Sequence, residues 1–294
     1  MNDSDMTTAV TEEVKGDAPA VWFDGGDSGR VMVADSLSYF EHDEWFDDVC
    51  CGASFAGAPT GAMAMRGGVK GWIAHDGGVG KDEAGIGGLK LADQYNVPAA
   101  ATDTLESGLS MGHTLMTAKV SHVNETAKAL GVEVGQTGEA AARLMLAAER
   151  GRKIDFTGVI DESIHEVHAE DTGRIYAVWS SSRVTDPHPD DVFCVASHAG
   201  KVMAEYALRV KPRGIIANDA GIGFEESGIS GLADLERVAG IPAAAISVDS
   251  ARIGDALSTY EEGVISFVNG PAAALGIEVG MSARAAALRM LRAA

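Results

Sequence analysis

Polar and titratable residues that could carry chemistry follow short apolar segments at matching places in the two halves of this 294-residue chain. They are Ser54 and Asp76 in the first half, and Ser197, His198, Asn218 and Asp219 in the second. A serine beside a histidine can act as a nucleophile, and a carboxylate whose pKa is raised by burial can act as a base. This combination of residue types predicts hydrolysis of a small amide-like or ester-like bond.

Each of these residues also has an ordinary structural role. Asp76 and Asp219 precede glycine-rich turns, so their carboxylates can accept hydrogen bonds from the turn N–H groups or else orient a substrate. Ser54 and Ser197 can cap a helix, and neither lies in the Gly-x-Ser-x-Gly pattern of a nucleophile elbow. The sequence leaves both the structural and the catalytic interpretation open.

A loop in the second half, residues 249–263, is dense in groups that recognise polar ligands. We predict that Arg252 binds a substrate anion, because a guanidinium can donate two parallel hydrogen bonds to one carboxylate. Either Asp219 or Asp255 would transfer a proton. The remaining candidates in this loop are Asp249, Ser250 and Tyr260. The alternative is that Arg252 and Asp255 form a salt bridge that holds the loop in place.

The two halves are related by an internal duplication. Residues 71–89 and 214–232 align without a gap, and 11 of the 19 positions are identical. Strand-like apolar segments alternate with helix-like segments in both halves, which is typical of an α/β fold with mainly parallel sheets. We therefore predict two βαβ-type units, residues 18–151 and 152–294, related by a pseudo-two-fold. A disordered acidic tail is predicted at residues 1–17.

The order of elements follows from the pattern of apolar and turn residues. In the first half a hairpin is predicted from segments 21–23 and 30–34, and further strands at 47–57, 68–76 and 97–103. Helices are predicted at 58–66, 81–95, 121–131 and 139–151. The second half repeats this order, with strands at 174–182, 192–196 and 214–218 and helices at 200–210 and 224–239.

Each half carries a glycine-rich turn between a strand and a helix, with the pattern Gly-x-Gly-x4-Gly. The dinucleotide fingerprint differs, because its third glycine comes two residues earlier. Acidic residues, Asp82 and Glu83 or Glu225 and Glu226, also begin each helix at the end where a phosphate would bind. A tight structural turn is therefore the favoured interpretation, and no cofactor is predicted.

The histidines and cysteines do not form a recognisable metal motif. A site could be assembled from His75, Asp76, His113 and His122, but no His-Glu-x-x-His or comparable pattern occurs. A divalent metal is thus an alternative and not the main prediction. The three cysteines, of which Cys51 and Cys194 lie at matching positions, are predicted to be buried free thiols.

The formal net charge of −20 argues against nucleic acid and anionic membranes as partners, because both are negatively charged. No segment reaches the 18 apolar residues that a transmembrane helix needs. The first 20 residues lack the basic and apolar regions of a signal peptide. We therefore expect a cytoplasmic protein, forming a homo-oligomer, whose partner is a small-molecule substrate.

The sequence as a whole predicts an enzyme that acts on a small polar, carboxylate-bearing molecule, with hydrolysis as the first choice of reaction. A lyase or isomerase that abstracts a proton next to a carboxylate would need the same groups. Two alternatives belong to other classes. One is a non-catalytic binding protein with a single cleft between unequal halves, and the other is an assembly protein built through Ala-rich helix faces.

Overall fold

A computed structural model describes residues 18–293 as two similar units, each built on one six-stranded sheet. The strands of the first unit are β1 (Ala20–Asp24), β2 (Arg30–Ala34), β3 (Val49–Phe55), β4 (Gly71–His75), β5 (Ala99–Thr102) and β6 (Val120–Val123). Those of the second are β7 (His165–Glu170), β8 (Gly173–Val178), β9 (Val192–His198), β10 (Gly214–Asn218), β11 (Ala243–Ile246) and β12 (Ile265–Val268). The predicted acidic tail, residues 1–17, lies outside the described residues.

Strands lie side by side in chain order in both sheets. The four central strands of each sheet are parallel to one another, and each outer strand is antiparallel to its neighbour. Parallel neighbours require a crossover connection, and helical segments supply it. The predicted α/β fold with two similar, mainly parallel sheets is confirmed, as is the hairpin formed by β1 and β2.

Ten α-helices connect and cover the strands of the described residues. In the first unit they are α1 (Ala58–Arg66), α2 (Gly87–Asp93), α3 (Thr114–Thr117), α4 (Glu125–Lys128) and α5 (Gly138–Met145). In the second they are α6 (Lys201–Val210), α7 (Ser230–Ala239), α8 (Ala256–Glu262), α9 (Gly270–Ala274) and α10 (Ala283–Leu291). Short 3-10 turns occur at Gly26–Ser28, Leu37–Phe40, Lys81–Ile86, Ser181–Arg183 and Phe224–Glu226.

Both faces of each sheet are buried, because helices pack on both sides. Alternate residues of β2 enter different cores: Val31 and Val33 pack with Met145 of α5, whereas Met32 packs with Met65 of α1. The central strands therefore read as continuous apolar runs instead of alternating ones, and every residue of β3 is buried. The second unit divides into two equivalent cores.

Four predicted helices are wrong in part. The helix predicted at 224–239 begins only at Ser230, after the 3-10 turn Phe224–Glu226, and the helix predicted at 139–151 ends at Met145. The segment at 81–95 begins as a 3-10 turn in which Asp82 and Glu83 have positive φ, and the α-helix starts only at Gly87. The segment at 121–131 begins inside strand β6, and only the single turn of α4 is helical. The physical reason is Asn124, whose Oδ1 accepts hydrogen bonds from the N–H groups of Ala127 and Ala99. One side chain thus caps the helix and ties its start to β5.

The two units meet through their glycine-rich turns, with reciprocal contacts. The N–H of Lys81 donates to the carbonyl of Val248 at 2.9 Å, and the N–H of Phe224 at the matching position donates to the carbonyl of Thr104 at 2.8 Å. Gly78 and Gly221 face each other, and a Cβ on Gly78 would lie 3.0 Å from the Cα of Gly221. Equivalent contacts in both directions are what a pseudo-two-fold between the units requires.

Cys50, Cys51 and Cys194 are buried free thiols, as predicted. Burial raises the pKa of Cys194 to about 12, so this thiol stays protonated and unreactive at neutral pH. None of the helices formed by residues 18–293 has the length and hydropathy needed to cross a bilayer.

Candidate functional site

A small pocket lies between the units, where β3 and β9 end beside the loops that follow β2 and β8. We call it the serine pocket, because seven serines and one histidine line it, namely Ser36, Ser38, Ser54, Ser180, Ser181, Ser182, Ser197 and His198. Its open space is ≈ 30 Å³, enough for a small group such as a carboxylate or carbonyl but not for a whole metabolite. The carboxyl ends of parallel strands are the usual place for ligands in such sheets.

Matching serines from the two units build the walls of this pocket. Ser36 and Ser180 each cap a 3-10 turn by accepting the N–H of the residue two positions later. The Ser36 hydroxyl also lies 2.8 Å from that of Ser38 and 3.1 Å from that of Ser54. The Leu37 N–H donates to the Ser54 Oγ at 3.0 Å. Ser54 is thus part of a local hydrogen-bond network and not the N-cap of a helix.

His198 is the one histidine among the described residues that line the serine pocket. Its Nδ1 accepts a hydrogen bond from the Gly200 N–H at 3.1 Å, so the neutral ring carries its hydrogen on Nε2. Burial, and then the nearby charge of His75, lowers the pKa of His198 to about 4. At neutral pH the ring is therefore an uncharged hydrogen-bond donor.

The other buried histidine, His75, serves the fold. Its Nδ1 accepts the Gly77 N–H at 2.9 Å and its Nε2–H donates to the Ser107 carbonyl at 3.0 Å. Burial lowers its pKa as well. The matching residue of the second unit is Asn218, whose Oδ1 accepts the Ala220 N–H at 2.8 Å while its buried Nδ2 has no partner among residues 18–293.

Asp76 and Asp219 both cap the glycine-rich turns. Asp76 accepts the Gly78 N–H at 3.0 Å through Oδ1, and its Oδ2 accepts the Ser121 hydroxyl at 2.9 Å. Asp219 accepts the N–H groups of Gly221 and Val248, both at 3.0 Å, through the same oxygen. Both carboxylates thus have the structural role that the sequence allowed, and neither lines the serine pocket.

The loop at 249–263 lines a separate, larger cavity of ≈ 520 Å³, which we call the loop groove. Arg252 lies in this groove with its guanidinium paired to Asp82 at 3.0 Å, Asp255 at 3.2 Å and Glu262 at 3.3 Å. The hydrogen bonds that Arg252 donates to Asp82 and Asp255 raise the pKa of its guanidinium. A substrate carboxylate would have to compete with these three carboxylates for the guanidinium.

The other residues predicted for this loop are dispersed. Asp255 caps α8 by accepting the Ser258 N–H at 2.9 Å. Ser250 donates to the Ser247 carbonyl and accepts the Val264 N–H, while Asp249 is exposed. Tyr260 is 5% exposed and belongs to the core under the second sheet. The structure therefore brings Ser54, Ser197 and His198 together in one pocket, and Arg252 and Asp255 together in another.

Sequence reasoning missed Trp179 and the serines at 36, 38, 180 and 182 as pocket residues. A signal was present, since Ser-x-Ser follows a strand at the same place in both halves. Trp179 has no counterpart of its kind, because Asp35 occupies the matching position of the first unit. Neither feature belongs to a motif with known chemistry, so only their position around the pocket makes them candidates.

No cluster of three or more His, Cys, Asp or Glu side chains in the described part of the chain is arranged to hold a metal ion. Comparison with models of protein families, with curated proteins and with solved structures finds no match to this chain.

Proposed function

We propose that the protein is an enzyme that hydrolyses an amide-like or ester-like bond of a small polar, carboxylate-bearing molecule, with its reacting carbonyl in the serine pocket. The observation that carries the proposal is His198, a neutral donor held in one tautomer beside Ser197, in a pocket that both units build. Perturbed titratable groups in a cleft between two units are frequent at active sites.

His198 has the properties of an electrophile. Addition to a carbonyl places negative charge on its oxygen, and a fixed N–H donor in a buried site stabilises that charge strongly. Because the ring is neutral at neutral pH, the donor is an imidazole and not an imidazolium. In this proposal Nε2–H donates to the carbonyl oxygen in the transition state.

Ser197 is the proposed nucleophile. Its oxygen forms a bond to the carbonyl carbon, the bond from that carbon to the leaving nitrogen or oxygen breaks, and the serine proton passes to the leaving group. Water then attacks the acyl-serine, which releases a carboxylic acid and restores the hydroxyl. The arrangement is not a Ser-His-Asp triad, because a backbone N–H and not a carboxylate contacts Nδ1 of His198.

A non-catalytic binding protein is the second candidate. It is favoured by the same tautomer, since a ring with its hydrogen on Nε2 does not accept a proton there. Ser197→Ala separates the two candidates in a screen of small amides, esters and hydroxy acids. The first predicts loss of turnover with retained ligand binding, whereas the second predicts binding without turnover in the wild-type protein as well.

The matched control for Ser197→Ala is Ser107→Ala. Ser107 is also a buried serine, but it lies outside the serine pocket and pairs with Thr102 at 2.9 Å. Both variants lose one buried hydroxyl, and we expect only Ser197→Ala to lose activity. Equal activity in all three proteins would remove Ser197 from the mechanism. Solvent ¹⁸O in the acid product distinguishes hydrolysis from a lyase or isomerase reaction, which incorporates none by this route.

The proposal also includes a cytoplasmic homo-oligomer. Three buried free thiols fit a reducing compartment. Phe267, 40% exposed on the outer strand β12, offers apolar surface to a second copy. Sedimentation equilibrium of the wild-type chain measures the oligomeric state directly, and a monomer at micromolar concentration would contradict this part of the proposal.

A further inference from the structure

Trp179 is a buried donor that the fold leaves unused. The residue directly follows β8, lines the serine pocket and is 1% exposed. Its indole Nε1–H has no hydrogen-bond partner among the described residues. A buried N–H without a partner is uncommon in folded proteins, and a bound ligand or ion is one of its regular explanations.

The ring of Trp179 is held firmly in place. The Arg183 guanidinium lies over it, 5.0 Å from the ring centroid. Arg183 is itself paired with Glu41 at 2.9 Å and Glu162 at 3.0 Å, so its position is set by two carboxylates. The guanidinium that packs on the indole ring thus has a position defined by two carboxylates.

The electrostatic surroundings of the pocket favour an anion. Gly57 and Gly200 supply no side-chain cap to helices α1 and α6, although the Ser110 Oγ accepts the Val202 N–H of α6 at 3.2 Å. Thr60 and Met203 from the first turns of these helices line the pocket. The positive ends of both helix dipoles are thus directed toward the same small space. Among the described lining residues none is acidic, so no carboxylate of the protein occupies this field.

We propose that the serine pocket binds a carboxylate, whose oxygens accept hydrogen bonds from the Trp179 Nε1–H, the His198 Nε2–H and the serine hydroxyls. This inference rests on the proposed function, because hydrolysis of an acyl bond in the pocket would leave a carboxylate at the same place. A space of ≈ 30 Å³ suits the carboxylate of a product, with the remainder of the molecule outside. Acetate and formate are accordingly expected to bind as the smallest product mimics.

The test follows the indole N–H signals of the ¹⁵N-labelled full-length protein by NMR during titration with sodium acetate, at constant ionic strength. We expect the Trp179 signal to move downfield and to saturate, because its N–H gains an anionic acceptor. Acetamide has nearly the same shape without the charge, and it should bind at least tenfold more weakly. The chain supplies an internal control in Trp72, whose buried indole N–H also lacks a partner but lies outside the pocket.

Trp179→Phe keeps the aromatic ring and removes only the donor. It should assign the signal and weaken acetate binding at least tenfold, whereas Trp72→Phe should leave binding unchanged. If Trp179→Phe does not fold, loss of the other signals in Trp22→Phe, Trp45→Phe and Trp72→Phe assigns Trp179 by elimination, and the wild-type titration decides. A Trp179 signal that stays still, or that responds equally to acetamide, overturns the inference.

The outcome is separable from that of the proposed function. Saturable acetate binding in a protein that hydrolyses nothing would leave the carboxylate site standing and remove the hydrolase. Hydrolysis that is not inhibited by acetate, with an unmoved Trp179 signal, would do the reverse.

Discussion

The two units share their strands and turns but differ at the residues that face the interface. Phe55 ends β3, whereas His198 ends β9 at the matching position. On the neighbouring strand the order is reversed, since β4 ends in His75 and β10 in Asn218. His75 uses both ring nitrogens for backbone groups, while His198 uses Nδ1 for the backbone and lines the serine pocket.

The two units thus share a scaffold, whereas the histidine in the serine pocket belongs to the second unit alone. Asp76 and Asp219 cap equivalent turns with equivalent bonds, so these positions do the same structural work twice. His198 and Trp179 have no equivalent of their kind in the first unit. The serine pocket is therefore lined by both units but is asymmetric, because Trp179 and His198 come from the second unit.

The largest expected effect comes from making the second unit resemble the first. His198→Phe places at the end of β9 the residue that already ends β3. Loss of one oxyanion donor typically lowers kcat by about 10²- to 10³-fold, and we expect a decrease of that size in initial-rate measurements. Wild-type kcat in this variant would mean that the asymmetry of the two units has no catalytic role.

The control is the opposite exchange, His75→Asn, which makes the first unit resemble the second. The Ser107 carbonyl would lose its donor, so we expect a loss of about 1–3 kcal/mol in the free energy of unfolding. Activity of the folded variant should stay within a few-fold of wild type, because His75 is not among the residues that line the serine pocket. Chemical denaturation and the same rate assay measure both quantities.

The pH dependence of the free energy of unfolding provides a further test of His198 in the second unit. The pKa of His198 is about 4 in the folded protein and about 6.5 in the unfolded chain, so the unfolded state binds a proton more readily between these values. Stability is therefore complete above pH 6.5 and falls as the pH decreases toward 4. The lowered pKa corresponds to about 3 kcal/mol, which urea denaturation at several pH values can measure.

His198→Phe should flatten this pH dependence without abolishing it, because the pKa of buried His75 is lowered as well. A variant whose stability decreases as steeply as that of the wild type would show that His198 is not the titrating group. The hydrolytic rate should have no acid limb near pH 6.5, since the ring in the pocket is already neutral there.

Arg252 gives the smallest expected effect. It bridges the units through Asp82, and its pairs with Asp255 and Glu262 are partly exposed, so Arg252→Gln should lower stability by less than about 1 kcal/mol. We expect KM to stay unchanged, because three carboxylates already occupy the guanidinium. A tenfold rise in KM with unaltered stability would instead restore Arg252 as the group that binds the substrate anion.

Local patterns explain which elements the sequence could predict. The buried strands β3, β4, β9 and β10 are continuous apolar runs bounded by turn residues, so their positions follow from composition alone. The start of the 81–95 segment could not be predicted from sequence, because Asp82 and Glu83 both adopt a left-handed conformation that is uncommon for residues other than glycine. Contacts with the other unit, such as Lys81 with Val248, support that conformation.

Some residues of the candidate site could likewise be predicted from local sequence, and others could not. Ser54, Ser197 and His198 could be selected because each stands at the end of an apolar strand, where parallel sheets place their ligands. Tyr260 could not be rejected as a site residue from sequence, because a tyrosine in a polar segment has the same local pattern whether it faces solvent or the core. The charge of Arg252 makes it a candidate from sequence, whereas only the packed structure shows Asp82 of the other unit beside it.

A duplicated α/β fold, buried cysteines and matching carboxylates at the strand ends can all be predicted from the amino-acid sequence. These features depend on residue type, period and repetition along the chain. The three-dimensional structure was needed to show that Ser36, Ser180 and Trp179 share a pocket with His198, and which nitrogen of the His198 ring carries the hydrogen. Such properties arise from groups distant in sequence, and from burial and hydrogen bonding that no local pattern encodes.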